Sequence, residues 1–398
     1  MAMKVRVLLS SGVVLITMWL VGCGHYVCGT TFGSSTCTAS GGGISQGGTG
    51  TGGAVAYGYF VDFNGGGMAL QKLDMGSGGT FTDISAFTPP TLPKQPKQMV
   101  IVNKKFLYLA SSDGTLMATQ INSTDGYLTL VPNSPYTVVG GDSITSDPAG
   151  KYVFVGDPAG QRISVFTVNL DGSLTAVVGS PFSTSGMAPW VLTTDGLGKY
   201  LYASDGGASG LLGAFVIGST GALTPVIGNP FSIFPALTIA GEASGKFLLG
   251  VTGLSGDNHL HVLGIGTGGV IAEVTGSPFT TVYPPVSLTV HPSGTFVYTF
   301  NGDVFGALDP IEGYQINNST GALTVVSGSP FNLSAAAGPI EQTGKFMFAL
   351  GITPISGTAD STVTPFNIDT STGFLSSTLG PQGFPGTNLA TYVVTDAP

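Results

Sequence analysis

One short phrase recurs seven times along the chain, at intervals of 46 to 50 residues, and this period restricts the possible fold more than any other feature. In each unit a turn and a basic or small residue lead into an aromatic-rich apolar run. A further strand, a Gly-Ala-Leu-Thr-like strand and a Gly-Ser-Pro-Phe phrase follow. The turn-and-strand element is found at Lys105-Phe106, Lys151-Tyr152, Lys199-Tyr200, Lys246-Phe247, Thr295-Phe296 and Lys345-Phe346, with a degenerate first copy near Tyr57–Phe60. The closing phrase is found at Asn133–Tyr136, Gly179–Phe182, Gly228–Phe231, Gly276–Phe279 and Gly328–Phe331. A repeat of this length built from four strands reads as a propeller blade.

The unit around Asp147-Pro148-Ala149-Gly150 serves as a template. Residues 143–146 form the expected inner strand, followed by a tight turn and a second strand over 151–156, where Tyr/Phe alternates with Val. The third strand is expected over 162–169, Asp171-Gly172 gives a hairpin turn, and the outer strand covers 173–178. Proline cannot donate to a ladder, so Gly-Ser-Pro-Phe is assigned to the connection between blades. The first recognisable strand, 54–63, resembles a second strand, while residues 387–398 resemble the inner strand at 188–196 and then stop. The expected architecture is therefore an all-β, seven-bladed β-propeller of four-stranded antiparallel blades, closed by the C-terminal strand pairing into the first blade. Closure of this kind removes an open sheet edge.

Composition supports strands over helices. Only 8% of the 398 residues are charged, against roughly 25% in an average soluble domain, while glycine (63) and proline (25) are abundant. The formal charge is −9, and Arg162 is the only arginine after Arg6. Nucleic-acid binding needs a clustered basic footprint and is excluded as a function class.

The domain plan has three parts: a lipoprotein signal peptide at 1–22, a Cys-containing Gly/Ser/Thr-rich tether at 23–53 and the propeller at 54–398. The leader has a short basic start and an apolar run from Val7 to Val21, too short for a comfortable membrane span. It ends in Leu20-Val21-Gly22-Cys23, which resembles a bacterial lipobox with Cys23 as the lipidated residue. Gly24 follows in place of aspartate, which favours the outer membrane of the cell envelope. Cys28 and Cys37 are expected to pair as a disulfide in an oxidising compartment. The chain is thus expected to be exported and to meet the membrane only through its lipid anchor.

Any pocket is expected on the rim where first and third strands begin, among Asp157, Arg162, Trp190, Asp205, Asp257, His259, Asp303 and Glu312. The candidate catalytic residues are Asp157, Arg162, His259 and His261. Arg162 could orient a carboxylate or phosphate, or it could pair with Asp157. His259 and His261 alternate along a strand, so both imidazoles face one side. They read either as a metal pair with Asp257 or as two partly exposed polar side chains, and no metal or cofactor is expected. His291 shares its repeat slot with Asp147 and reads as structural. No Gly-x-Ser-x-Gly elbow, P-loop, zinc-protease helix or calcium loop occurs.

The phrases Asp147–Phe154 (DPAGKYVF), His291–Tyr298 (HPSGTFVY) and Ser-Thr-Gly-Ala-Leu-Thr at 219–224 and 319–324 resemble the seven-bladed lactonase family, which includes 6-phosphogluconolactonases and carboxymuconate-lactonising enzymes. The resemblance covers about residues 54–398 and implies the fold. It also implies cationic and acidic groups at the central rim, binding an anionic sugar or dicarboxylate. Here cations are scarce, leaving Arg162 and Lys94 or Lys97, and a phosphosugar lactone is a cytoplasmic metabolite. Two readings follow: a monomeric, lipid-anchored envelope propeller acting as a ligand- or protein-binding or scaffolding module, or a lactonase-like hydrolase acting on a sugar or dicarboxylate lactone.

Overall fold

The computed structural model describes residues 54, 56–64, 67–76, 81–82, 96–207, 209–254, 256–301, 310–331, 335, 337–355, 358–377, 382–384 and 389–396. The expectations for Cys23, Cys28, Cys37, Lys94 and Asp303 fall outside these residues.

The chain forms a β-propeller of four-stranded antiparallel blades. From inner to outer strand, blade 1 comprises Leu389–Asp396, Ala56–Asn64, Gly67–Met75 and Phe81–Thr82. Blade 2 comprises Pro96–Val102, Phe106–Ser111, Thr115–Ile121 and Leu128–Leu130. Blade 3 comprises Ser143–Ser146, Tyr152–Asp157, Arg162–Val168 and Leu174–Ala176. Blade 4 comprises Val191–Thr194, Tyr200–Ser204, Leu211–Ile217 and Leu223–Pro225. Blade 5 comprises Thr238–Gly241, Phe247–Val251, His259–Ile265 and Ile271–Glu273. Blade 6 comprises Ser287–Val290, Phe296–Phe300, Ile311–Ile316 and Leu323–Val325.

The expected count of seven such blades is corrected to six. A further sheet of Phe346–Ile355, Thr358–Ile368 and Leu375–Ser376 lacks a full inner strand among the described residues. The segment that would supply it makes only isolated bridges, Ala337 to Leu350 and Ile340 to Met347. The reason lies in Gly338-Pro339. Pro339 accepts from the Phe348 amide at 3.0 Å but has no N–H to return.

The tail closes onto the head as expected. Ala56–Val61 pairs antiparallel with Asp396–Thr391, residue for residue. Seven apolar cores lie between successive sheets among the described residues. Two of them hold the further sheet between blade 6 and blade 1. This explains the aromatic-rich runs, because a second strand is buried on both faces. In blade 2, Leu107 and Leu109 pack towards blade 1, while Phe106, Tyr108 and Ala110 pack towards blade 3.

Each repeated phrase has a mechanical role. Tyr59, Tyr108, Tyr202 and Tyr298 donate their hydroxyls to the carbonyls of Gly126, Gly172, Gly269 and Gly373, each in an outer hairpin of the next sheet. Those glycines have positive φ and sit against aromatic rings of the preceding blade, as Gly172 does on Phe106. A side chain at that point would drive into the ring.

The Gly-Ser-Pro-Phe phrase differs from its assignment as a connection. Its Ser180, Ser277 and Ser329 hydroxyls accept from the third-strand amides of Val165, Val262 and Gly313 at 2.8, 2.9 and 3.0 Å. The Phe-containing pair then forms a fifth strand, so that Phe182 sits opposite Ile163 and Phe279 opposite Leu260. Proline is tolerated because it precedes the pairing residues.

Candidate functional site

The ends of the second strands and the starts of the first and third strands share one rim. In blade 3, Gly156 pairs with Ser143 and Asp157 with Arg162. Asp157 is buried, and its two oxygens divide their work. Oδ1 accepts from the Gly160 amide at 2.9 Å and Oδ2 from Arg162 Nε at 2.8 Å. The Arg162 side chain is 40% exposed, against 6% for Asp157. Its Nε is therefore fixed on the acid while the guanidinium reaches towards solvent.

Asp142, immediately before the blade 3 inner strand, donates its amide to Gly156 O at 3.3 Å, and Lys97 of the blade 2 inner strand precedes Gln98, whose Oε1 accepts from the Ile144 amide at 2.9 Å. Burial pushes the Asp142 carboxyl above its ordinary value, the Lys97 ammonium opposes the shift, and the Asp157 charge adds to it. A half-buried carboxyl with a raised pKa, on the same rim as an arginine fixed on Asp157, can accept a proton while a neighbouring oxygen gains negative charge. Among the candidates, Asp157 and Arg162 are thus brought together. Asp142 and Lys97 lie on the same rim; Lys97 was named with Lys94 as a remaining cation, and Asp142 was not among the candidate residues. The signal for Asp142 was its place after Gly140-Gly141, where the chain must lie against Asp157. A side chain at Gly140 would overlap that residue.

His259 and His261 are not part of this cluster, because they lie on the third strand of blade 5 with blade 4 between. His259 Nδ1 is 2.5 Å from Asp257 Oδ1, and Thr252 Oγ1 donates to Asp257 Oδ2 at 2.6 Å. Burial raises the Asp257 pKa, but the Thr252 hydroxyl and the His259 ring outweigh it and the net shift is downward. His261 Nδ1 is 2.7 Å from Glu273 Oε1, and its ring stacks on Phe234 with centroids 3.8 Å apart. Among the described residues no group of three or more His, Cys, Asp or Glu gathers to hold a metal ion.

Other rim acids serve the loops around them. Asp205 accepts from the Gly207 and Ser209 amides at 3.2 and 2.7 Å and from the Ser209 hydroxyl. Buried Glu312 accepts from the Val282 and Tyr283 amides, both at 3.0 Å, and from the Tyr314 hydroxyl at 2.5 Å. On the opposite rim, His291 Nδ1 accepts from the Ser293 amide at 3.1 Å and Nε2 donates to the Gly344 carbonyl at 2.8 Å. Asp147, Asp195, Glu242 and Glu341 accept from backbone amides in the same repeat slot, so the structural reading of His291 agrees with the geometry.

No protein-family model matches the chain, and no curated protein matches it. Solved structures do. A provisionally assigned 6-phosphogluconolactonase from Bacteroides uniformis superposes with a TM-score of 0.66 at 17% identity, covering 86% of this chain and 99% of its own. A second such protein, from Bacteroides fragilis, gives 0.64 at 17% identity over 85% and 97%. The periplasmic gluconolactonase of Pseudomonas aeruginosa gives 0.62 at 16% identity over 85% and 99%. At these identities the likeness establishes the β-propeller fold shared with lactonase-like proteins.

Proposed function

We propose that this chain is a lactonase-type hydrolase whose active site is the channel mouth between blades 2 and 3. The reading is carried by the convergence of Asp142, Asp157, Arg162 and Lys97 at one end of a fold also used by a periplasmic gluconolactonase. Asp142 takes a proton from water, and the water oxygen attacks the lactone carbonyl. The outer nitrogens of Arg162 stabilise the charge on the carbonyl oxygen. The ring C–O bond breaks, the departing oxygen receives the proton held by Asp142, and a hydroxy acid leaves.

The further sheet, seated between blades 6 and 1 by the two cores it shares with them, completes the ring around the six blades. Export and anchoring at Cys23 belong to the same proposal, with Cys28 and Cys37 bonded in the tether and the protein acting as a monomer. An extracytoplasmic sugar lactone fits that location better than a phosphorylated one. Mass spectrometry of the envelope fraction checks the anchor: wild type carries acyl chains on Cys23, and Cys23→Ser carries none.

A panel of sugar and aliphatic lactones, assayed with wild type and Arg162→Ala, tests the activity. Hydrolysis above the spontaneous rate, reduced about 100-fold by the substitution, is expected for loss of an oxyanion-stabilising donor. Absence of turnover across the panel would leave the binding-module reading.

A further inference from the structure

Trp190 is the only tryptophan outside the leader, the other being Trp19. It immediately precedes the inner strand of blade 4 and remains 41% exposed. A large aromatic left partly in water forgoes a share of a full burial worth about 2 kcal/mol or more, so its setting matters. The Trp190 amide donates to Ser204 O at 2.9 Å and Ala188 O at 3.0 Å. Gly206, at φ +69°, lies against the Trp190 side chain so closely that a Cβ there would sit 3.2 Å from its Cβ and Cγ. The ring is held by its backbone and walled on one side, with part of its surface left to solvent.

The position relative to the proposed active site is equally constrained. Pro189 O, one residue before Trp190, accepts from Ser143 Oγ at 2.9 Å. The same carbonyl would be 2.5 Å from a Cβ at Gly156. Ser143 follows Asp142 and Gly156 precedes Asp157, so Trp190 flanks both acids. Further round the same rim, Leu237 and Tyr283 are 37% and 41% exposed. Exposed apolar groups therefore stand on this rim beside the charged cluster of blades 2 and 3, while Asp205 and Glu312 are engaged by their own loops.

On the polar side Arg162 bonds Asp157 through Nε alone, its outer nitrogens turned to solvent, and the Lys97 ammonium opposes the upward shift of Asp142. Among the described residues of this side two cations, Lys97 and Arg162, stand with two acids, Asp142 and Asp157, so a phosphate meets no net positive charge. An exposed aromatic near the half-buried Asp142 carboxyl and the solvent-turned end of a guanidinium suits an uncharged pyranose, whose C–H face is apolar and whose edge is polar. We infer that Trp190 is a stacking platform that selects a neutral, unphosphorylated sugar ring at the channel mouth. The inference rests on the proposed site but not on its turnover.

With the leader removed, or with Trp19→Phe where it is retained, Trp190 is the sole tryptophan, and excitation above the tyrosine band selects it. Titration with 1,5-anhydroglucitol, a neutral pyranose that cannot be hydrolysed, is expected to give a saturable change in its fluorescence. By calorimetry, Trp190→Ala should weaken binding at least tenfold, Trp190→Phe should retain it within threefold, and the 6-phosphate of the probe should bind no more tightly. No saturable signal, equal binding by Trp190→Ala, or tighter binding of the phosphate would each overturn the inference. If Trp190→Ala is misfolded by circular dichroism, the phosphate comparison and the fluorescence titration still decide. Sugar binding through Trp190 without lactone turnover would sink the hydrolase reading alone. Turnover with Trp190-independent sugar binding would sink this inference alone.

Discussion

Arg162 Nε donates to Asp157 Oδ2 at 2.8 Å, joining the first residue of a third strand to the last residue of the second strand in blade 3. Because Arg162 is 40% exposed, solvent screens the pair and its own contribution to stability is small, about 1 kcal/mol or less. Arg162→Ala is expected to lower the melting temperature by only a few degrees while reducing kcat/KM about 100-fold. Arg162→Lys should restore the melting temperature more fully than the rate, since an ammonium lacks the planar fork. Parallel melting curves and kinetics check the split.

The histidine pair should behave differently. His259 and His261 stand on blade 5, each bonded to its own carboxylate. His259→Ala is expected to leave lactone kcat/KM within about twofold of wild type. His261→Ala should cost stability, because the ring stacked on Phe234 and bonded to Glu273 is lost. A loss of about 1–3 kcal/mol is expected in denaturant unfolding.

Two glycines separate strain from crowding. Gly172 has φ +80° and abuts Phe106, whereas Gly186 has φ +94° and open space, with nothing within 4 Å of where a Cβ would sit. Gly186→Ala carries only the backbone penalty of about 1–2 kcal/mol. Gly172→Ala adds overpacking of about 1–3 kcal/mol and should be the more destabilising. Tyr108→Phe, which loses the bond to the Gly172 carbonyl, should cost about 1 kcal/mol. Unfolding midpoints should be lowest for Gly172→Ala, then Gly186→Ala, and highest for Tyr108→Phe.

His291 makes stability depend on pH. Burial lowers its pKa from 6.5, while the bond to Gly344 O and the nearby Glu341 charge oppose the shift. The folded state therefore binds this proton less readily than the unfolded chain. The stability contributed is complete above about pH 6.5 and is lost as pH falls towards the lowered folded value. Protonation would place a hydrogen on Nδ1, which accepts from the Ser293 amide. His291→Asn should be less stable than wild type at pH 8, and the gap should narrow at pH 5.

Much of the fold was legible because blade-building residues repeat. The period located the second strands, and the mismatch of Ala54–Phe63 and Thr387–Pro398 with their neighbours exposed the tail-to-head closure, observed as Ala56–Val61 against Asp396–Thr391. The blade count erred where the sequence kept the second-strand phrase at Lys345-Phe346 but placed Gly338-Pro339 in the inner strand. Periodicity registers the former and is blind to the donor that proline lacks. Gly-Ser-Pro-Phe was misassigned for the converse reason, since a two-residue strand is too short to show alternation. Of the candidate cluster, one pair was legible. Arg162 and Asp157 were conspicuous by scarcity and spacing, whereas Asp142 and Lys97 come from adjacent blades, and their electrostatic influence on one another follows from no local pattern.

The most direct test of the channel mouth as the hydrolytic site is a pH-stat measurement of proton release from glucono-1,5-lactone, with wild type compared against Asp142→Asn. Wild type is expected to exceed the spontaneous rate, with kcat/KM falling as pH drops through the raised pKa of Asp142. The variant should lose both the rate, by about 100-fold or more, and that acidic limb. A wild-type rate equal to background, or a variant retaining the wild-type rate and pH profile, would contradict the account.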